Sequence, residues 1–188
     1  MTSPGLVEAR PSPLPDLAGQ VVLVDSDDRP VGTMEKQAAH REGRLHRALS
    51  VIVRSSDGRL LMQRRALGKY HSGGIWTNTC CSHPWPGEPV DQAAIRRLNE
   101  EMGIRLPALE KLFSTIYRAP VGQGLIEHEL VHVYGGVWDG KVDPDPAEVD
   151  SFAWCEPAAL RADLERTPAR YSVWFRTYVA HHWDQMIG

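Results

Sequence analysis

One amphipathic helix, set between groups of β-branched runs, constrains this chain more than any other feature. Residues 89–102 read as that helix. Pro89 fits its first turn, where a missing N–H costs no bond, and Gly103 fits the stop. Ala93, Ala94, Leu98 and Met102 give it one apolar face, which needs an apolar surface to lie on. The runs around it offer that surface. Residues 21–24 close on Asp25-Ser26-Asp27-Asp28, and 31–34 follow. Residues 48–54 and 59–63 flank Ser55-Ser56-Asp57-Gly58, a hairpin signal with Asp-Gly in the turn. Residues 111–118 and 126–138 read as strands joined by a loop holding Gly122 and Gly124, and 149–155 as another strand. Residues 35–41 read as a brief helix or turn, and 157–165 and 172–182 as helices. This order predicts an α+β fold, a mixed β-sheet sandwiched by helices, with N-terminal strands and C-terminal helices added.

At 188 residues the chain can bury a sizeable core in one domain, read here as residues 20–188. Residues 1–19 are rich in Pro, Ser and Gly, lack a signal-peptide pattern and read as a flexible leader. A net charge of −3 carries no nucleic-acid signature. No run of about 18 apolar residues marks a membrane span. Three cysteines, two of them adjacent, suit a reduced cytoplasmic protein better than a disulfide framework.

The chemistry-bearing residues cluster in two places. Trp76-Thr77-Asn78-Thr79-Cys80-Cys81-Ser82-His83-Pro84 sets a thiol two residues from an imidazole. Glu127-His128-Glu129 sets two carboxylates on one face of a strand, because side chains at i and i+2 point the same way. The surrounding Leu125, Ile126, Leu130, Val131 and Val133 imply burial, and two close buried carboxylates call for a cation or a proton between them. By the same parity His128 and His132 face away. His40, His46 and His83 are further candidate ligands; with the carboxylates they would form a three-nitrogen, two-carboxylate shell. Lys36, Arg64, Arg65, Lys69 and Arg97 are candidate phosphate contacts, and of the adjacent pair Arg64-Arg65 only one can reach a given pocket.

Glu88 followed by Arg96-Arg97-Leu98-Asn99-Glu100-Glu101-Met102-Gly103-Ile104 resembles the Nudix box, with Ser82 at its first Gly and Arg97 at the first Glu of its acidic helix. Loss of that carboxylate argues against pyrophosphate hydrolysis, and an Arg there suits a diphosphate clamp. Gly32-Thr33-Met34-Glu35-Lys36, Ala38-Ala39-His40 and Arg44-Leu45-His46 join the set. So do Arg64-Arg65-Ala66-Leu67, Gly74-Ile75-Trp76-Thr77-Asn78, Cys81-Ser82-His83-Pro84, Tyr117-Arg118 and Glu127-His128-Glu129. Together, in this order, they resemble the type 1 isopentenyl-diphosphate isomerases, a divergent branch of the Nudix superfamily. The resemblance spans roughly residues 21–174. His128 stands where Asn is common and Val173 where Pro is common.

The resemblance implies a Nudix-like fold and conversion of isopentenyl to dimethylallyl diphosphate. It implies Cys81 and Glu129 as the catalytic pair, with Tyr117 bonded near Glu129. His40, His46, His83, Glu127 and Glu129 would bind one divalent metal, Mn²⁺, Mg²⁺ or Zn²⁺, and Glu101 the Mg²⁺ that accompanies the diphosphate. Lys36, Arg65, Lys69 and Arg97 would hold that diphosphate, and Trp174 or Trp76 would cover the hydrocarbon. The implied partner is a small prenyl diphosphate, not nucleic acid or a membrane, and the implied enzyme is a cytoplasmic monomer or homodimer.

Shifting a double bond needs an acid, a base and a dry pocket for a cationic intermediate. Glu129, with Tyr117, is expected to protonate the terminal methylene carbon, and Cys81, as thiolate, to remove the opposing proton. An indole face adds about 2 kcal/mol against typical barrier reductions of ~8–23 kcal/mol, so placement of acid and base must supply most of the rest. Two other enzymes fit less well: a Nudix diphosphate hydrolase, and an isomerase-like enzyme for longer prenyl diphosphates. A catalytically silent metal-binding scaffold would have no use for Cys81 or the cations.

Overall fold

The computed structural model describes Leu17 and residues 19–188. The expected leader therefore falls almost wholly outside the described residues. The spine of the fold is β3 (His46–Arg54), which runs parallel to β8 (Leu125–Val137) along its full length, from His46 opposite Glu129 to Arg54 opposite Val137. On its other edge it meets β1 (Gln20–Val24), then β6 (Cys80–Ser82), then the start of β4 (Leu60–Arg65). β2 (Pro30–Glu35) pairs antiparallel with β1, and β7 (Glu110–Gly122) with β8. β4 carries β5 (Trp76–Thr77) and β9 (Val149–Cys155).

The Asp-Gly turn forms as expected, with Gly58 N–H donating to Ser55 O at 2.9 Å. The two strands it joins then diverge: Arg54 and Leu60 form their only ladder pair. The chain from β5 to β6 wedges into the gap, one strand on each arm. Neither strand was expected, because two and three residues are too few to show a period of two.

Alternation along β3 divides the core between the two faces of the sheet. Ala48 and Ile52 join Leu60, Met62, Phe113 and Val131 under the C-terminal helices α3 (Pro157–Arg166) and α4 (Val173–Ile187). Leu49, Val51 and Val53 join Leu61 and Cys80 under α2 (Val90–Met102), through Ala93, Ala94, Leu98 and Met102. This is the expected mixed sheet between helices. Pro89 caps α2 from outside instead of entering its first turn. Gly103 ends it at φ 68°, where a Cβ would lie 2.6 Å from Asp143 O, so both backbone angle and space require glycine. Glu88 accepts two bonds from Arg96, at 2.7 and 2.8 Å, and the guanidinium lies 3.4 Å from the centre of the Trp85 ring. This clamp fixes the approach to α2.

α1 (Lys36–Glu42) starts on Glu35, whose carboxylate accepts the Gln37 and Ala38 N–H groups at 2.8 Å each. α4 starts on Ser172, whose hydroxyl also bonds Thr77 at 2.9 Å and ties the helix to β5. α4 breaks at His182, the expected end, and then continues to Ile187. Among the described residues no helix is long and apolar enough to cross a membrane.

Candidate active site

Strand register builds the centre of the site. Glu129 on β8 lies opposite His46 on one side and Tyr117 on the other, so carboxylate, imidazole and phenol form one row across the sheet. Glu127 follows on the same face. α1 brings His40 to this row, and the chain leaving β6 brings His83. The ligand atoms of His40, His46, His83 and Glu129 all lie within 4.8 Å of one another. His83 Nε2 is 2.9 Å from Glu129 Oε1, His46 Nε2 is 3.6 Å from it, and His40 Nε2 is 3.6 Å from Glu127 Oε1.

Backbone carbonyls orient two of these rings. His40 Nδ1 donates to Lys36 O at 2.6 Å and His46 Nδ1 to Arg44 O at 2.8 Å, which turns both Nε2 lone pairs inward. His40 is fully buried and its Nε2 has no hydrogen-bond partner among the described residues. His46 Nε2 also faces His83 Nε2 at 3.2 Å. Converging nitrogens beside carboxylates form a candidate divalent-metal site, because a shared cation satisfies all of them at once.

The charges of His83 and Glu129 suit such a site, whereas His40, in the absence of an ion, is drawn toward its protonated form. Burial lowers the His83 pKa to about 4, against the pull of Glu129, so the ring is neutral. Burial opposes the Glu129 carboxylate, but the His46 and His83 imidazoles beside it outweigh this and hold its pKa well below the usual range. Burial also opposes a charged His40, and the nearby Glu127 carboxylate, 3.6 Å from Nε2, overcomes this and raises the pKa. Tyr117 donates to Glu129 Oε2 at 2.7 Å and approaches Glu127 Oε2 at 3.3 Å. Burial pushes its phenol well up, so it remains a donor.

β6 sends its two cysteines to opposite faces: Cys80 packs in the core beneath α2, and Cys81 lines the cavity. Asn78 holds Cys81. The Asn78 amide N–H groups donate to Val51 O and Cys80 O at 3.0 Å each, which leaves Oδ1 to accept from Cys81 Sγ at 3.1 Å. Ser50, opposite Cys81 in the β3–β6 register, donates to Sγ at 3.4 Å. Burial lifts the Cys81 pKa to about 11, although Ser50 opposes it. The group is therefore a thiol at rest, not the thiolate expected from the sequence.

The same cavity is lined by Lys36, Arg65, Lys69, Arg97, Glu101 and Trp174. Arg97 donates to Glu101 at 2.6 Å and to Glu148 at 3.3 Å, and Lys69 also binds Glu148. Glu101 belongs to this charged network and not to the histidine cluster. Arg65 Nε and Arg97 Nε are buried with no partner among the described residues. Arg65 lies 5.3 Å from the Trp174 ring centre, and Lys36 lies 5.2 Å from that of Tyr70. Arg64 turns away to Gly74 O and Asp150, so one member of the Arg pair reaches the cavity.

Trp76 is a correction. It packs on the same core as Cys81 and Trp174 but lines a separate cleft with Met62, Trp154 and Tyr171 and not the cavity. His128 and His132 face away, toward Gly43 O and Asp28. Among the cavity residues not anticipated are Glu148 and His71. His71 Nε2 is 3.0 Å from Glu127 Oε1. Its place beside Lys69 was the one available signal; Glu148 lies in a turn with no period to read.

Residues 44–175 match the NUDIX domain. Isopentenyl-diphosphate Delta-isomerase 2 of Aromatoleum aromaticum is 52% identical over 155 residues, covering 82% of each chain. The isopentenyl-diphosphate Delta-isomerase of Burkholderia multivorans is 49% identical over 160 residues, 85% of this chain and 90% of its own. The chain belongs to the Nudix isopentenyl-diphosphate Delta-isomerase family. Among solved structures, DR0079 from Deinococcus radiodurans superposes with a TM-score of 0.66 at 23% identity, over 78% of this chain and 89% of its own, a likeness of fold.

Within this isomerase family the Arg97–Glu101 pair has a direct stability test. Glu101 is 4% exposed. Burial raises its pKa and Arg97 opposes the rise. Arg97→Ala is expected to destabilise the fold by roughly 3–5 kcal/mol, the cost of stranding a buried charge. Urea unfolding should show this deficit shrinking as pH falls, since protonation of Glu101 relieves it. A midpoint unchanged from the parent at neutral pH would refute the pairing.

Proposed function

We propose that this chain converts isopentenyl diphosphate to dimethylallyl diphosphate for isoprenoid biosynthesis, adding a proton at the terminal methylene carbon and removing one from the methylene on the far side of the alkene. One observation carries the reading: a single cavity is lined by the Cys81 thiol, the Tyr117-backed Glu129 carboxylate and the four cations Lys36, Arg65, Lys69 and Arg97. A proton donor and acceptor beside an anion clamp suit an alkene tethered to a diphosphate.

The diphosphate is the handle. Its oxygens suit the unpartnered Nε groups of Arg65 and Arg97, with Lys36 and Lys69 as added charge and Mg²⁺ accompanying it at Glu101. Binding energy there positions a hydrocarbon that offers no polar group of its own. A divalent cation held by His40, His46, His83, Glu127 and Glu129 would supply fixed positive charge that orients Glu129 and sets its acidity; Mn²⁺, Mg²⁺ and Zn²⁺ all suit these donors.

Cys81 and Glu129 are the acid–base pair. The resting charges put the proton on Cys81 and leave Glu129 ionised, the reverse of the sequence expectation. One turnover adds a proton to one carbon from one member and returns one from the other carbon to its partner. The pair thereby exchanges states, and proton exchange with solvent resets it. Tyr117 holds Glu129 in line by its 2.7 Å bond. The Trp174 indole, with its ring against Arg65, closes the hydrocarbon side. A cytoplasmic monomer or homodimer acting on a small prenyl diphosphate completes the reading, in keeping with three free cysteines.

The test is isopentenyl diphosphate in deuterated water with Mg²⁺ and then Mn²⁺ or Zn²⁺, followed by NMR. Dimethylallyl diphosphate carrying deuterium is the expected result. Phosphate release from nucleotide diphosphates without isomerisation would instead establish the hydrolase.

A further inference from the structure

His71 is a buried imidazole in the cavity with no part in the acid–base pair, in the diphosphate clamp or in the five-residue metal cage proposed above. It sits in the chain between β4 and β5, on a tight loop. Gly74 N–H returns to Arg65 O at 2.9 Å, Lys69 N–H to Ala66 O at 3.2 Å, and Ser72 adopts φ 52°, a left-handed angle costly for a residue with a side chain. The loop that carries Lys69 thus turns sharply just after His71 and directs the ring inward. There it stands edge-on to Trp174, with centroids 6.1 Å apart, and to Tyr70 at 4.4 Å.

The hydrogen bonds of His71 distinguish it from His40 and His46, whereas His83 Nε2 likewise meets a carboxylate, Glu129 Oε1, at 2.9 Å. His40 and His46 give their Nδ1 protons to backbone carbonyls and present bare Nε2 atoms. His71 presents Nε2 to the Glu127 carboxylate at 3.0 Å, while its Nδ1 meets the Ser72 hydroxyl at 3.2 Å. A carboxylate only accepts, so the proton belongs on Nε2, and the Ser72 O–H donates to Nδ1. The ring is therefore placed to donate to a metal-site carboxylate, although its Nε2 also lies in a second group, with His40 and Glu127, whose atoms could hold an ion. Glu127 needs that help. Of its two oxygens, Oε2 receives only the 3.3 Å bond from Tyr117, which favours Glu129, and Oε1 lies 3.6 Å from His40 Nε2.

We propose that His71 is a positioning residue for the metal cage: its Nε2–H fixes the Glu127 carboxylate so that one oxygen faces His40. The inference rests on the cage reading above and adds to it a sixth residue, supplied by the same loop that carries Lys69. Outer partners of this kind typically change metal affinity about 10–100-fold.

The test is Mn²⁺ binding by isothermal titration calorimetry, with no substrate present, to the parent, His71→Phe and His71→Gln. Phe keeps a ring against Trp174 and Tyr70 but has no donor. Gln restores an N–H at a similar reach. The expected result is Mn²⁺ affinity about 10–100-fold weaker in H71F, with far-UV circular dichroism and thermal midpoint close to the parent, and recovery to within a few-fold in H71Q. Affinity in H71F within twofold of the parent would overturn the role of His71 and leave the cage reading standing. Equal losses in H71F and H71Q would assign the effect to packing and overturn the role as well. A parent that binds no Mn²⁺ would overturn both.

Discussion

Cys81→Ala is expected to lower kcat by about 10³-fold or more, with KM for isopentenyl diphosphate little changed. General acid–base groups contribute typically about 10²–10⁴-fold, and an unactivated alkene, a poor base, belongs at the upper end. The diphosphate clamp does not involve Sγ, so ground-state binding should survive. The loss should be confined to chemistry, because the thiol sits among groups that hold one another in place without it. Asn78 stays bonded to Val51 O and Cys80 O, and Ser50 keeps its 3.0 Å contact with Tyr178. Steady-state kinetics with dimethylallyl diphosphate detected by NMR measures the effect, and circular dichroism checks the fold. A variant that turns over at the parental rate would remove Cys81 from the mechanism and leave Glu129 without a partner to supply the first proton.

How far such residues can be read from sequence depends on whether local pattern or long-range pairing places them. Glu127 and Glu129 were legible because strand parity alone puts them on one face, and apolar neighbours mark that face as buried. The helix at 89–102 was legible through its apolar period and its Pro and Gly boundaries. The divergence of β3 from β4 was not, since a turn motif specifies the first pair of a hairpin and says nothing of the strands that enter the gap farther along. The cleft that Trp76 lines depends for that reason on which arm β5 joins. The protonation of Cys81 was hidden too, because it depends on burial and on the orientation of the Asn78 amide, both products of the assembled sheet. Resemblance to a family supplied the roles of His40, His46 and His83, which spacing could not join, and it missed His71, which lies outside the motifs that carry the likeness.

Glu129→Gln separates the two duties of the carboxylate. Glutamine keeps the shape and can accept from Tyr117, but it has no charge and cannot hold the transferred proton. Turnover should fall about 10³-fold or more, within the range for loss of an acid–base group. Mn²⁺ affinity should fall as well, because neighbouring imidazoles lose the anion that offsets a cation among them. The Cys81→Ala variant, in contrast, should bind Mn²⁺ as the parent does, so comparing the two divides chemistry from metal retention. Stability against pH gives an independent reading. The Glu129 carboxyl is held well below its ordinary value of 4.5, against burial, by the His46 and His83 imidazoles beside it. A lowered folded pKa stabilises the native state above the unfolded value, and that contribution is lost as pH falls through the folded one. Urea unfolding of the parent should therefore weaken progressively from about pH 4.5 downward, with 4.5 the ordinary carboxyl value. E129Q, which has no proton to take up there, should weaken less over the same interval. Parallel curves for the two proteins would mean that Glu129 titrates alike in the folded and unfolded chain, and the tightly bonded carboxylate at the centre of the site would have to be abandoned.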